Sequence, residues 1–455
     1  MWKLAFATLA LVGSAVNAYR PGDEVCSISS SNACGLDAIT PSALDGSTLI
    51  YPGGKTRCAF DDSSVPSANN FTTNSTYFFQ VFPNAQKDKK KLFLYFQGGG
   101  ACIDNLTCNY ALQCSVKGGT FNSNARAVST GILNRTDPDN MFADWNIVHL
   151  PYCTGDLHIG NKVNGSTENG VEAILGYTGC LKKNMSIHQV GYLNTMAVLK
   201  WTLANYPNPE HLIIGGSSAG ALAAQILSGY VADAWQVNAR SIRYSILADS
   251  YVGVLPSTRS TGEPVAGAEL VRYFGACDVD LKQPADIVAG CKNGTVTVTD
   301  MLKAQIKLTP YSDWLFIDSK ADQVQRYFYQ MFKEGILSYP FPHLISGADF
   351  FSNMTTMLDA YKTVSSRVST FFVESEQHVY LMYQGFFHNA TSTTGDNLGK
   401  FLGQWLAPRA NSSGLISVSN GTDSSKTESA ATGVSSAAFA VLNCAAMLLA
   451  AAALL

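Results

Sequence analysis

The stretch LIIGGSSAGAL, residues 212–222, carries the reading of the fold. An apolar run stops at two glycines, passes two serines and becomes Ala-rich. Gly216-Ser217-Ser218-Ala219-Gly220 fits the pattern G-x-S-x-G with Ser218 at its centre. The bare pattern arises by chance in a chain rich in Gly and Ser. Its flanks give it weight, because HLIIGG (211–216) reads as a strand running in and AGALAAQILSGYVADAW (219–235) as a helix running out. That setting puts the central serine on a strained elbow, with its hydroxyl raised above the sheet edge. Small neighbours are needed because the turn leaves no room for side chains. Ser217 is off-centre and is the weaker nucleophile candidate.

A serine hydroxyl becomes nucleophilic only with a base and an acid that orients the base. Beyond the elbow, DWLFIDSKADQ offers Asp318 at a strand end, with Asp322 as its alternative and Asp249 in LADSYVG a distant third. A helix N-cap is the competing role for any strand-end Asp. FFVESEQHVYLMY places His378 in the loop after the last strand candidate. His388 competes but adjoins a glycosylation sequon, and His149 and His211 lie in or beside strands and read as structural. The order Ser218, Asp318, His378 is the one used by α/β-hydrolases. The oxyanion of an acyl-transfer reaction needs backbone N–H donors. Ala219 supplies one, and Gly99 and Gly100 of LYFQGGGAC follow a strand closely enough to supply another. A phosphate loop is the alternative for these glycines, but the P-loop Lys and the G-x-G-x-x-G spacing are missing.

Around the elbow, KLFLYFQ (91–97), WNIVHLPY (145–152), YSILADS (244–250), DWLFID (313–318) and TFFVES (370–375) read as buried strands. Two more helix candidates lie between them. One has Val190, Leu193, Ala197, Trp201 and Ala204 on its apolar face and ends at Pro207; the other has Val324, Phe328 and Met331. Strand and helix in alternation predict an α/β fold, a mostly parallel sheet wrapped by helices. Residues 19–410 read as one catalytic domain, with about 251–310 interrupting the rhythm as a candidate cap insertion.

Both ends read as processing signals. Residues 1–18 have Lys3, an apolar stretch and small residues at Val16 and Ala18, the layout of a secretory signal peptide. Residues 411–430 form a Ser/Thr-rich stalk, and 431–455 are an apolar tail without a basic flank, together the layout of a GPI-attachment signal. The chain is thus expected outside the cell, held at a membrane surface. Ten cysteines remain once Cys444 is set aside with the tail, an even number that reads as disulfides, and Cys277 and Cys291 bracket one loop and could pair locally. Eleven Asn-x-Ser/Thr sequons agree with a secreted glycoprotein. No C-x-x-C pair stands beside suitably spaced histidines, so neither a metal nor a cofactor is expected. A net charge of −3 carries no basic footprint for nucleic acid. It also offers no broad attraction for a polyanionic polymer.

Taken together, LFLYFQGGGAC (92–102), LPYCTGDLHIG (150–160), GGSSAGA (215–221), LADS (247–250), WLFIDS (314–319) and His378 resemble the pectin acetylesterase/Notum group of serine α/β-hydrolases, its microbial branch most of all. The resemblance implies an α/β-hydrolase fold and removal of short acyl esters, acetyl above all, by Ser218, His378 and Asp318, with Gly99, Gly100 and Ala219 around the oxyanion. It also points to Asp156, His158 and Asp249 as substrate-pocket residues. Two departures from the family pattern stand out: Gly100-Ala101 where an aromatic often follows the glycine pair, and a longer acid loop, DSKADQ, that leaves Asp318 against Asp322 open. The expected substrate is an acylated cell-wall polysaccharide or another ester. The alternatives are a lipase-like or protein-deacylating hydrolase for longer acyl chains, and an inactive surface glycoprotein that binds carbohydrate. Oligomeric state is not legible in the sequence.

Overall fold

The protein is described here from a computed structural model covering residues 22–62, 74–103, 108, 130–165, 186–263, 265, 268–335 and 343–407. The expected signal peptide, stalk and apolar tail lie outside these residues. Among the described residues no helix is long and apolar enough to cross a membrane.

The sheet is built from β1 (Glu24–Ser27), β2 (Thr48–Tyr51), β3 (Phe79–Phe82), β4 (Lys91–Phe96), β5 (Asn146–Leu150), β8 (His211–Ser217), β9 (Arg243–Asp249), β10 (Asp313–Ser319) and β11 (Val368–Val373). A separate hairpin pairs β6 (Lys162–Gly165) with β7 (Ser186–Gln189). The strand order is β1-β2-β3-β5-β4-β8-β9-β10-β11. Pairing is parallel from β5 to β11, and antiparallel only where β3 meets β2 and β5. This mostly parallel sheet is the α/β-hydrolase architecture.

The central strands are apolar at almost every position because both faces of the sheet are covered. Successive residues point to opposite faces, and the core divides accordingly. Leu92, Leu94, Phe96, Leu212, Ile214 and Ile246 enter one apolar cluster. Phe93, Tyr95, Ile213, Leu247, Leu315 and Ile317 enter the other. All are fully buried, each such side chain contributing roughly 1.5–3 kcal/mol.

Helices α1 (Gly191–Asn205), α2 (Ala219–Trp235), α3 (Glu269–Tyr273), α4 (Ala285–Asn293), α5 (Val298–Leu308), α6 (Gln323–Glu334), α7 (Gly347–Lys362), α8 (Gln384–Phe387) and α9 (Leu398–Leu406) follow in chain order. Helix α2 is buried along most of its length, with Ala221, Ala223 and Ala224 fully enclosed. Small residues let its backbone sit close to the sheet. The buried face of α1 differs from the expected one: Asn194, Thr195, Val198, Trp201 and Thr202 face inward, and Leu193 and Ala197 are half-exposed. Polar groups can be buried when they are hydrogen-bonded. Asn194 bonds the backbone of Arg57, and Thr195 Oγ1 donates to the His158 carbonyl at 2.8 Å.

Residues 251–310 hold α3, α4 and α5. Helix α5 opens with a capping box between Thr297 and Asp300, and Gln305 Oε1 accepts the Gly229 N–H of α2 at 2.7 Å. Disulfides join Cys26–Cys34, Cys58–Cys153, Cys102–Cys108 and Cys277–Cys291; the last is the local pair expected. Cys114 and Cys180 lie outside the described residues.

Candidate active site

Parallel strands that end on one edge deliver loops to a common place, the usual site of ligand binding in open α/β sheets. Here the carboxyl ends of β4, β8, β9, β10 and β11 carry Gly98–Gly100, Ser218, Asp249, Asp318 and, five residues past β11, His378.

Ser218 joins β8 to α2 with φ 55° and ψ −121°. A non-glycine residue at positive φ is uncommon, and such strain persists only where the surroundings impose it. The surroundings are β8, paired on both sides, and the Asp249 carbonyl, which accepts the Ser218 N–H at 2.8 Å. Ser218 is half-buried. Ser217 points inward instead, its hydroxyl donating to Asp249 Oδ2 at 2.8 Å and lying 2.6 Å from Tyr95 Oη.

The Gly98–Gly100 loop runs against the elbow. A Cβ at Gly98 would stand 2.6 Å from the Ser217 carbonyl oxygen and 3.0 Å from Ser218 Cβ, so only glycine fits. Gly100 has φ 77°, and a Cβ there would meet the Phe328 ring of α6 at 3.3 Å. Tyr152 holds this loop from behind: its hydroxyl donates to the Gly100 carbonyl at 2.8 Å and accepts the Leu157 N–H at 2.8 Å. Ala219 begins α2, where backbone N–H groups have no partner within the helix and the helix dipole favours negative charge.

His378 Nδ1 lies 2.7 Å from Asp322 Oδ2. The carboxylate that meets the imidazole is thus the alternative, Asp322, and not Asp318, where the acid was expected. Asp322 is the N-cap of α6 and does two jobs with two oxygens: Oδ1 accepts the Gln325 N–H at 2.9 Å and Oδ2 faces the imidazole. Asp318 ends one turn earlier, inside the sheet, and both its oxygens accept from Gln325 Nε2 at 2.9 Å. The same amide reaches Asp322 Oδ2 at 3.0 Å. Burial, then the neighbouring Asp322 charge, push the Asp318 carboxyl well above the usual range, and the Gln325 bond only partly offsets them. Asp318 faces the Gln325 amide with both oxygens, whereas Asp322 faces the imidazole. For His378, burial pulls the imidazole pKa down, but the Asp322 charge and hydrogen bond, with Asp249 adding to them, leave it above its ordinary value.

Asp156, His158 and Asp249, expected to line the substrate pocket, do not. Their exposures are 0, 3 and 0 %, because each is spent on internal bonds. Asp156 accepts Thr154 Oγ1 and the Gly191 N–H, both at 2.6 Å, and burial raises its pKa to about 6. His158 Nε2 donates to the Gln97 carbonyl at 2.8 Å, and burial lowers its pKa to about 4. His158 thereby bonds the residue immediately before the glycine loop, whereas Asp156 ties its own loop to the start of α1. Asp249 accepts the N–H groups of Tyr380 and Leu381. His149 is paired with Gln80, His211 with Ser245 and His388 with Asp137, all away from Ser218's partners. Among the described residues no group of three or more His, Cys, Asp or Glu side chains could hold a metal ion.

With this geometry in place, two comparisons bear on kinship. The family profile of Pectinacetylesterase matches residues 72–251, a span holding the glycine loop, the elbow and Asp249. Over that span the chain is similar to the pectinacetylesterase family. A curated relative, palmitoleoyl-protein carboxylesterase NOTUM of Schmidtea mediterranea, is 28 % identical over 153 residues, covering 30 % of this chain and 28 % of that one. The chain therefore aligns with under a third of that relative's length. Asp322 and His378 lie beyond the profile match, so their pairing rests on the geometry above. Tyr152 and Gln325 are supporting residues that sequence reasoning missed. Tyr152 lies within the LPYCTGDLHIG stretch, but its role depends on contact with the distant Gly100 carbonyl, and Gln325 belongs to no motif.

Proposed function

We propose that the protein is a serine carboxylesterase. The observation that carries this reading is the conformation of Ser218, a strained non-glycine elbow between β8 and α2 with its side chain half-exposed. Such strain costs of order 1–3 kcal/mol and clusters at functional sites. Ser218 Oγ attacks the ester carbonyl carbon while His378 takes the hydroxyl proton. Asp322 holds the imidazole in the required tautomer and stabilises its charged form. The N–H groups of Ala219 and of Gly99 or Gly100 receive the oxyanion, each such donor worth about 3 kcal/mol in comparable enzymes. Collapse of the tetrahedral species expels the alcohol, which leaves with the proton from His378. Water, deprotonated by His378, then attacks the acyl-serine, and the acid departs as the Ser218 hydroxyl re-forms.

The substrate we favour is a short acyl ester, acetyl above all, on a cell-wall polysaccharide. The pectinacetylesterase match supports it, as does the Phe328 ring, which stands beside Gly100 where a long acyl chain needs room. Residues 251–310 would form the cap beside the site; Tyr273 Oη of α3 donates to the Ile103 carbonyl at 3.1 Å, next to the glycine loop. Disulfides support an extracellular setting, and surface attachment through a GPI signal completes the proposal. A second reading, hydrolysis of a longer acyl group from a protein, is favoured by the similarity to the palmitoleoyl-protein carboxylesterase of Schmidtea mediterranea.

The test is hydrolysis of p-nitrophenyl esters from acetate to palmitate by the secreted chain beside Ser218→Ala. Fast acetate cleavage lost in the variant supports the short-chain esterase. A preference for palmitate moves the assignment to the second reading. No cleavage of any ester, with carbohydrate binding retained, would replace both with a binding role.

A further inference from the structure

The loop after His378 is fastened more heavily than a surface loop requires. Asp249, the last residue of β9, is fully buried, and its carboxylate accepts the Tyr380 N–H at 3.0 Å, the Leu381 N–H at 2.9 Å, Ser217 Oγ at 2.8 Å and Ser250 Oγ at 3.0 Å. Four donors fill the acceptor capacity of an ionised carboxylate. The Ser250 hydroxyl, also fully buried, accepts the Val379 N–H at 2.8 Å. At the end of β10, Ser319 Oγ donates to the Gln377 carbonyl at 2.6 Å. From the other side the Ile132 N–H donates to the Leu381 carbonyl at 2.9 Å, and Thr130 Oγ1 to the Met382 carbonyl at 2.8 Å.

Held between these bonds is Val379, at φ 61°. For a β-branched residue this is a true outlier. Ser250, which binds it, is itself at φ 62°. Two strained residues in contact, one of them next to the imidazole, call for an explanation beyond loop closure, since a glycine at either place would relieve the strain. Val379 directly follows His378, so its backbone angle sets the direction from which the imidazole is presented. Asp249 meanwhile reaches the elbow through Ser217, so one carboxylate bonds the neighbours of both Ser218 and His378.

We propose that Asp249 and Ser250 are positioning residues: a buried clamp that holds Val379 in the left-handed conformation and thereby locks the His378 ring in register with Ser218. The proposal rests on reading His378 as the base. Without the clamp the loop would relax toward an ordinary backbone conformation, and the base would spend only part of its time within reach of the serine.

The experiment compares kcat and KM on p-nitrophenyl acetate for the wild type, Ser250→Ala, Ser250→Ala/Val379→Gly and the control His378→Ala, with the folded fraction measured by thermal melting. Misplacement of a catalytic group costs rate rather than binding, so Ser250→Ala should lower kcat about ten-fold with KM within about two-fold. Glycine takes the left-handed conformation unaided, so the double variant should regain most of the lost kcat. A merely structural clamp would lower the melting temperature, leave kcat per folded molecule unchanged and gain nothing from glycine; that result overturns the proposal. Asp249→Asn, if it folds, should lower kcat more than Ser250→Ala, because an amide turns a donor toward backbone N–H groups. If His378→Ala keeps wild-type activity, the base assignment itself fails and the clamp falls with it. Loss in His378→Ala but not in Ser250→Ala overturns the clamp alone.

Discussion

His378 Nδ1 stands 2.7 Å from Asp322 Oδ2, in a pairing that also uses the N-cap of helix α6. The strand end thus carries Asp318, and the helix start carries the carboxylate that touches His378. Gln325 binds both.

The two carboxyls should separate on mutation. Asp322→Asn is expected to lower kcat by about 10⁴, as loss of the orienting acid does in a serine triad. Asp318→Asn keeps the side-chain shape and an oxygen that can accept from Gln325 Nε2, at a position that does not touch His378, and kcat should stay within about ten-fold. Esterase kinetics on the two variants decide it, and the reverse order would return the acid role to Asp318.

Strain at Ser218 predicts opposite effects on activity and stability. Ser218→Gly removes the nucleophile and also the penalty of φ 55°. It should abolish hydrolysis while stabilising the fold by about 1 kcal/mol, less the added freedom of glycine in the unfolded chain. Urea unfolding of Ser218→Gly beside Ser218→Ala measures the difference; a glycine variant less stable than the alanine one would argue against strain.

Phe328 is half-exposed on α6 and faces Gly100. Phe328→Ala should open space beside the glycine loop and shift the preferred ester toward longer chains. A gain of roughly 1–3 kcal/mol in discrimination per extra methylene or two is the usual scale for an apolar pocket. An unchanged chain-length profile would place the acyl group elsewhere.

The proposed mechanism needs the neutral imidazole, and the Asp322 charge and hydrogen bond hold the His378 pKa above its ordinary value. kcat/KM should therefore fall as pH drops through that raised value, with the limb above about pH 6.5. The stability linkage has the opposite sense. A histidine whose folded pKa exceeds its unfolded one contributes fully below the unfolded value and loses that contribution as pH rises through the folded one. The deficit of Asp322→Asn in urea midpoint should then be greater near about pH 5.5 than near about pH 8.5. An equal deficit at both would mean that the pair does not favour the protonated ring.

Much of the sheet was legible because its strands are buried on both faces and read as unbroken apolar runs. KLFLYF, HLIIGGS and DWLFIDS are such runs, and β8 and α2 fall where the elbow motif predicts. The short strands β1 and β2 were not legible, since four half-polar residues give no period. The buried face of α1 was misjudged because hydropathy cannot anticipate that Asn194 and Thr195 are buried by bonding to distant backbone.

By itself the sequence determined the α/β class, the elbow serine, the glycine loop and the loop that carries the base, because each depends on residues adjacent in the chain. Only the tertiary structure shows which of Asp318 and Asp322 meets His378. Both carboxyls lie near a strand end, and the choice turns on which one a loop some sixty residues later approaches. It likewise shows that Asp249 is buried, since four donors from three segments converge on it. Local pattern names the chemistry a chain can offer; burial and convergence of distant segments determine which groups meet and which way each one points.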